Sequence, residues 1–145
     1  MGKARDVVEG FYGAFNSGRL NKEEAAKWLD PNIENVDPSG TINGVDAFLA
    51  NTQIYLTAAP DSKITAKNVV ESGDWVFVEG EFTGTNTGPL ASLQGTMSAT
   101  GKRFLLPFVE VDEVKNGKIA KHRVYFDQMT FLGQLGLLPQ PAGAR

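Results

Sequence analysis

FLLPFVEVDEVKNGKIAKHRVYFDQ, residues 104–128, reads as two strands joined by a turn. Asn116-Gly117 accepts the positive φ angles that a tight antiparallel hairpin needs, and it follows a run rich in β-branched and aromatic residues. The first arm belongs to a long strand region, Gly95 to Val114, broken at Thr100-Gly101, and the second arm runs from Ile119 to Gln128. Phe104, Leu105, Leu106, Phe108, Val109 and Val111 make the first arm apolar on both faces. One face can cover a core. The other needs a cover as well, and a second copy of the chain is the simplest one, so a homodimer through the sheet face is expected.

Further strands precede the hairpin. Lys63 to Ser72 and Trp75 to Asn86 flank the turn Gly73-Asp74, and Val76, Val78, Gly80 and Phe82 share one face of the latter. The first half of the chain is helical. Val7, Val8, Phe11, Ala14 and Phe15 recur at helical spacing between Arg5 and Ser17. Asn21 caps a second helix that runs to about Leu29, with Glu24 placed to reach back to it. Ile33 to Asp37 reads as a short strand closed by the turn Asp37-Pro38-Ser39-Gly40, and Gly44 to Ala59 as a third helix. Met129 to Leu138 is an apolar tail, and the end of the chain, about 140–145, reads as loose. Helices first and antiparallel strands after them predict a single α+β domain over 1–145, with three helices on one face of a curled sheet.

Composition narrows the functions. A formal charge of -3 offers no basic surface for nucleic acid. The chain has no cysteine and one histidine, which excludes thiolate chemistry and leaves no ordinary zinc set. Gly84, Gly88 and Gly95 are bends without the Lys-Ser or Lys-Thr of a phosphate loop. The first residues enter an amphipathic pattern without the apolar stretch of a signal peptide, and no run is long enough to span a bilayer, so the expectation is a cytoplasmic protein with no membrane partner.

The order of elements resembles the nuclear transport factor 2-like (cystatin-like) superfamily, whose fold is a cone with an internal pocket closed by helices. Phe82-Thr83-Gly84-Thr85-Asn86-Thr87-Gly88, Ala99-Thr100-Gly101-Lys102-Arg103, Asn116-Gly117-Lys118-Ile119, His122 with Asp127, and Leu132-Gly133-Gln134-Leu135-Gly136-Leu137-Leu138-Pro139 follow in the order of the SnoaL-like polyketide cyclases, also called ester cyclases. That resemblance implies a cofactor-independent, metal-free lyase or isomerase acting on a small apolar or carbonyl-containing molecule. Its catalytic Asp falls on Asp127, the position where the family usually has His is Asn86, and its usual Trp is Arg123. Comparison with the ketosteroid isomerases, which share the fold, puts their general base on Asp37 and their two oxyanion donors on Phe11 and Val109, neither of which can donate.

Asp127 thus has two readings. On a strand it shares a face with Arg123 and Tyr125, opposite His122, Val124 and Phe126. Set in an apolar pocket it would be a tuned general acid/base, abstracting a carbon-bound proton so that the enolate closes a ring in an aldol step. Otherwise it pairs with Arg123 or caps the C-terminal segment. On the first reading His122 faces outward or lies at an interface, unless a bulge breaks the alternation. Asp37 is a second candidate pocket acid, or simply a turn residue. Asn86, Arg123, Tyr125, Phe11 and Tyr55 are candidate substrate contacts. Rival functions are a non-catalytic pocket for a small apolar ligand and, on the same fold, an isomerase or an epoxide hydrolase, the last requiring Asp37, Arg123 and Asp127 to converge.

Overall fold

The computed structural model describes residues 3–92 and 95–138. The expected loose end lies outside the described residues. Helix α1, Lys3–Asn16, buries Val8, Phe11, Tyr12 and Phe15, which the 3.6-residue repeat brings to one side. Helix α2, Lys22–Trp28, starts at Asn21, whose side chain accepts from Glu24 N at 2.8 Å. The Glu24 carboxylate does not return to Asn21. It accepts from Lys27 Nζ and from Trp28 Nε1 at 3.1 Å. The Trp28 ring lies against Gly10, where a Cβ would come within 2.3 Å of it, so a glycine there lets α1 and α2 approach.

Strand β1, Leu29–Asp37, begins earlier than the predicted strand and turns into β2, Gly40–Asn43. Helix α3 is Val45–Ala58. Strands β3 (Lys63–Ser72) and β4 (Trp75–Thr85) are followed by the short pair β5 (Leu90–Ser92) and β6 (Gly95–Met97), then by β7 (Arg103–Lys115) and β8 (Lys118–Tyr125). Asn116 at φ 53° and Gly117 at φ 77° supply the two positive angles of the β7–β8 turn.

The large sheet has the order β2-β1-β8-β7-β4-β3. It is mixed rather than antiparallel throughout, because β1 runs parallel to β8. A fourth helix, α4 (Gln128–Leu135), replaces the last residues of the predicted strand and much of the apolar tail. Asp127 caps it, and Gly136 ends it in the left-handed conformation. Gln134 on α4 holds both polar groups of the Leu105 backbone, accepting from N at 2.7 Å and donating to O at 2.8 Å, where β8 no longer covers β7.

Side-chain direction on the hairpin decides where the site lies. Phe104, Leu106, Phe108, Glu110, Asp112 and Val114 of β7 are all buried, alternating with exposed or half-buried neighbours. Asp112 lies opposite His122, and Glu110 opposite Val124. Ala120 has no partner across the ladder, a bulge that brings Ile119 and His122 to the same buried side. The inward residues of β8 are therefore His122 and Val124, and Arg123 and Tyr125 face out. The predicted alternation is present with its sense reversed. Among the described residues no helix is long and apolar enough to cross a membrane.

Candidate functional site

A cavity of about 140 Å³ lies between the concave face of the sheet and the helices. Helix α1 contributes Phe11 and Phe15, α3 contributes Phe48 and Tyr55, and the sheet contributes Phe82 and Phe108. Among the described residues no lysine or arginine lines it. Its ionisable groups are His122, Glu110, Asp37 and Tyr55.

His122 is held from two sides. Its ring meets Phe48 edge-on at 5.3 Å and Phe11 at 5.8 Å between centroids. Its Nδ1 lies 2.8 Å from Asp112 Oδ1, on the neighbouring strand. An ionised Asp112 can only accept, so Nδ1–H donates, and the lone pair of the neutral ring is then on Nε2. Among the described residues Nε2 has no hydrogen-bond partner, which leaves it for a ligand at this wall of the cavity. Asp112 is fully buried, and that burial pushes its carboxyl up to about 7.

Glu110 lines the cavity two residues before Asp112, with Oε2 at 3.5 Å from His122 Nδ1. Burial first, and the Asp112 charge second, hold its carboxyl well above the usual carboxylate range. Tyr12 packs behind, its hydroxyl raised far above the ordinary value by burial and by the two acids. Among the described residues Tyr12 Oη, Glu110 Oε2 and Asp112 Oδ2 are buried with no partner in good hydrogen-bond geometry, although the two acids and Tyr12 lie close enough to act on one another. Glu110, Asp112 and His122 each offer an atom of the metal-ligating kind within 4.8 Å of the others. The 2.8 Å contact has the length of a direct hydrogen bond, and a proton retained inside the cluster meets the same need for positive charge that a cation would.

The predicted site residues divide. Phe11 and Tyr55 line the cavity, and burial with nearby Asp37 pushes the Tyr55 hydroxyl up to about 12. Asp37 also lines it, with Oδ1 turned back to Ser39 N at 2.9 Å and Oδ2 accepting from Asn51 Nδ2 at 3.1 Å. The remaining candidates lie elsewhere. Asp127 is exposed, outside the strand and outside the cavity. It caps α4 by accepting from Met129 N at 3.0 Å and Thr130 Oγ1 at 2.8 Å, and these bonds lower its carboxyl below the usual value. The second of its two readings, a cap, is what the structure has. Arg123 sits on the outer face, 3.4 Å from Glu34 and 6.0 Å over the Trp75 ring, with no contact to Asp127. Tyr125 is 52 % exposed on the same face.

Asn86 is buried, but its side chain is fully occupied by the backbone. Nδ2 donates to Ala58 O and Gly88 O, and Oδ1 accepts from Thr100 N and Thr100 Oγ1. It pins the end of α3 to two loops and has nothing left for a substrate. Asp37, Arg123 and Asp127 do not converge, which removes the arrangement an epoxide hydrolase would need.

Glu110 and Asp112 are legible in the sequence. Period-two alternation puts them on the face of Leu106 and Phe108, and two acids in register with that apolar row are a signal of a polar pocket wall.

Comparison with known proteins bears on the fold and the family. Aklanonic acid methyl ester cyclase DnrD of Streptomyces peucetius is 27% identical over 145 residues, covering 97% of this chain and 96% of the relative. A structure from Jannaschia sp. CCS1, provisionally assigned as a SnoaL-like polyketide cyclase, superposes with a TM-score of 0.81 at 17% identity over 94% of both chains. A protein from Catenulispora acidiphila with a ketosteroid isomerase-like fold, solved with trimethylamine, gives 0.73 at 17% identity over 93% of this chain and 97% of its own. At such identities the two structures share the α+β fold with its curled sheet. The sequence pattern of the SnoaL-like polyketide cyclases matches residues 5–135, nearly the whole described chain, and the protein belongs to that family.

Proposed function

We propose that this protein is a ring-closing enzyme of the cyclase type, acting on a small uncharged carbonyl compound, with His122 as general acid/base and Asp112 as the residue that positions it. The observation that carries this reading is the 2.8 Å Nδ1–Oδ1 contact at the wall of an aromatic cavity. Nε2 removes a proton from a carbon flanked by carbonyls. The enolate carbon attacks a second carbonyl, and the proton on Nε2 passes to the new alkoxide, so the base is restored without a cofactor. A good carbon acid asks of the site mainly a base, alignment and exclusion of water. Asp37, with no lysine or arginine among the described lining residues, makes the cavity suited to a neutral ester or ketone rather than a carboxylate. Membership of a cyclase family and the resemblance to methyl ester cyclases support the reaction class.

The test follows α-proton exchange and ring closure on a panel of β-keto esters, with wild type and His122→Gln. Loss of about 10²–10⁴ in rate with binding retained is the expected result. Tight binding of a panel member with no wild-type turnover would favour the rival reading, a pocket that holds a small apolar ligand.

We also propose a homodimer through the outer sheet face. Leu105, Val109 and Tyr125 are 46, 45 and 52 % exposed there, and Phe77 lies opposite Val111 in the same layer. Such an apolar face is the kind that a partner covers.

A further inference from the structure

We propose that Glu110 is a second catalytic residue: as a neutral carboxylic acid it donates a hydrogen bond to the oxygen of the carbonyl whose neighbouring carbon His122 deprotonates. The proposal rests on the reading of His122 as base.

The argument starts from charge. Glu110 and Asp112 are both buried, and the groups that face Glu110 are few. Asp112 adjoins it on β7, His122 reaches it from β8, and Tyr12 from α1. Strand β4 brings Val78 opposite it and β8 brings Val124, neither of them charged. Two carboxylates with one imidazole between them, away from water, repel more strongly than the imidazole compensates. Once Asp112 has ionised, one proton is retained, and it belongs on the acid without the close partner. Asp112 holds His122 at 2.8 Å, whereas Glu110 stands at 3.5 Å with Oε2 unpartnered. Burial and the neighbouring Asp112 charge act in the same direction on Glu110.

A buried acid hydrogen needs an acceptor, and on the cavity side of Glu110 a ligand oxygen can supply one. Glu110 lines the cavity together with His122, so the acid and the base share one wall. The electrons of the broken C–H bond move to the carbonyl oxygen, and the Glu110 hydrogen bond strengthens as negative charge develops there. Glu110 keeps its proton throughout, and the carbon proton travels on His122 to the product hydroxyl. Tyr12 stands behind Glu110 and does not line the cavity.

The experiment has two arms. Side-chain carboxyl ¹³C NMR of the glutamate-labelled wild-type protein, titrated across neutral pH, reads protonation without any substrate. One resonance, assigned by its loss in Glu110→Gln, stays at the protonated position near pH 7 while the other glutamates have ionised. Exchange of the α-proton of ethyl benzoylacetate for deuterium reads the role. Glu110→Gln, whose amide still donates, remains within about tenfold of wild type, and Glu110→Leu falls about 10²–10³-fold. Ionisation of every glutamate below pH 7 would overturn the proposal, as would a protonated Glu110 whose replacement by Leu leaves exchange unchanged. Stoichiometric binding of Mn²⁺ that Glu110→Gln abolishes would also overturn it, since a cation would then occupy the place of the proton. Failure of the His122 reading shows differently, as full exchange in His122→Gln.

Discussion

The β7–β8 hairpin has two faces, and each carries residues that its surroundings do not ordinarily favour. The inner face carries Glu110, Asp112 and His122, all buried, and the outer face carries Leu105, Val109 and Tyr125, all about half exposed. Neither face is explained by stability alone. Buried carboxylates cost free energy that an apolar wall would not, and the proposed reaction is what would use them. The aliphatic and aromatic side chains exposed on the outer face are what the proposed dimer would cover. On the two proposals, the same alternation of side chains separates chemistry from assembly.

The comparison can be broken or sharpened in several places. The largest effect is expected at Asp112. Asp112→Asn can offer an N–H to Nδ1, which stabilises the tautomer with the proton on Nε2 and removes the base. Rate falls by about 10²–10⁴ while the fold, followed by circular dichroism, is kept. On the outer face, Val109→Asp sets a charge in the proposed interface. A shift from dimer to monomer in sedimentation, with α-proton exchange per chain unchanged, is the expected outcome.

Next in size is a pH effect on stability. The Asp112 carboxyl is raised to about 7 in the folded chain, so between its unfolded value near 4 and about 7 the folded state binds the extra proton. Its contribution is fully present below that window and is lost as pH rises through it, with a slope of at most about 1.4 kcal/mol per pH unit for one group. Urea unfolding of wild type and Asp112→Asn at several pH values reads this directly: the difference grows in favour of the variant toward neutral pH. The smallest effect is at Asp127. Asp127→Ala removes two hydrogen bonds at the start of α4 and lowers the melting temperature by roughly a few degrees, with the reaction untouched.

Much of the fold could be read from local signals. Asn116-Gly117 sets the hairpin, the repeat of Val8, Phe11 and Phe15 sets α1, and Asn21 starts α2. The parallel pairing of β1 with β8 joins residues far apart in sequence, and nothing local to either strand records it. Helix α4 was hidden in an apolar run too short for its period to show, although Asp127 before it and Gly136 after it are ordinary cap residues. The site was legible in part. Alternation on β8 was correct, yet valines and aromatics on both sides of the hairpin left its inward sense open, and resemblance placed the working acid at Asp127. Leu106 and Phe108, in register with Glu110 and Asp112, were the better guide, because a β7 residue can be placed by its own buried neighbours.

The central claim is that the working base is His122 held by Asp112, and that Asp127 is a helix cap. The direct measurement sets His122→Gln beside Asp127→Asn, a substitution that preserves capping, and follows α-proton exchange of ethyl benzoylacetate under identical conditions. The account predicts a loss of two orders of magnitude or more, roughly, in the first and wild-type exchange in the second. Exchange retained in His122→Gln and abolished in Asp127→Asn would contradict it.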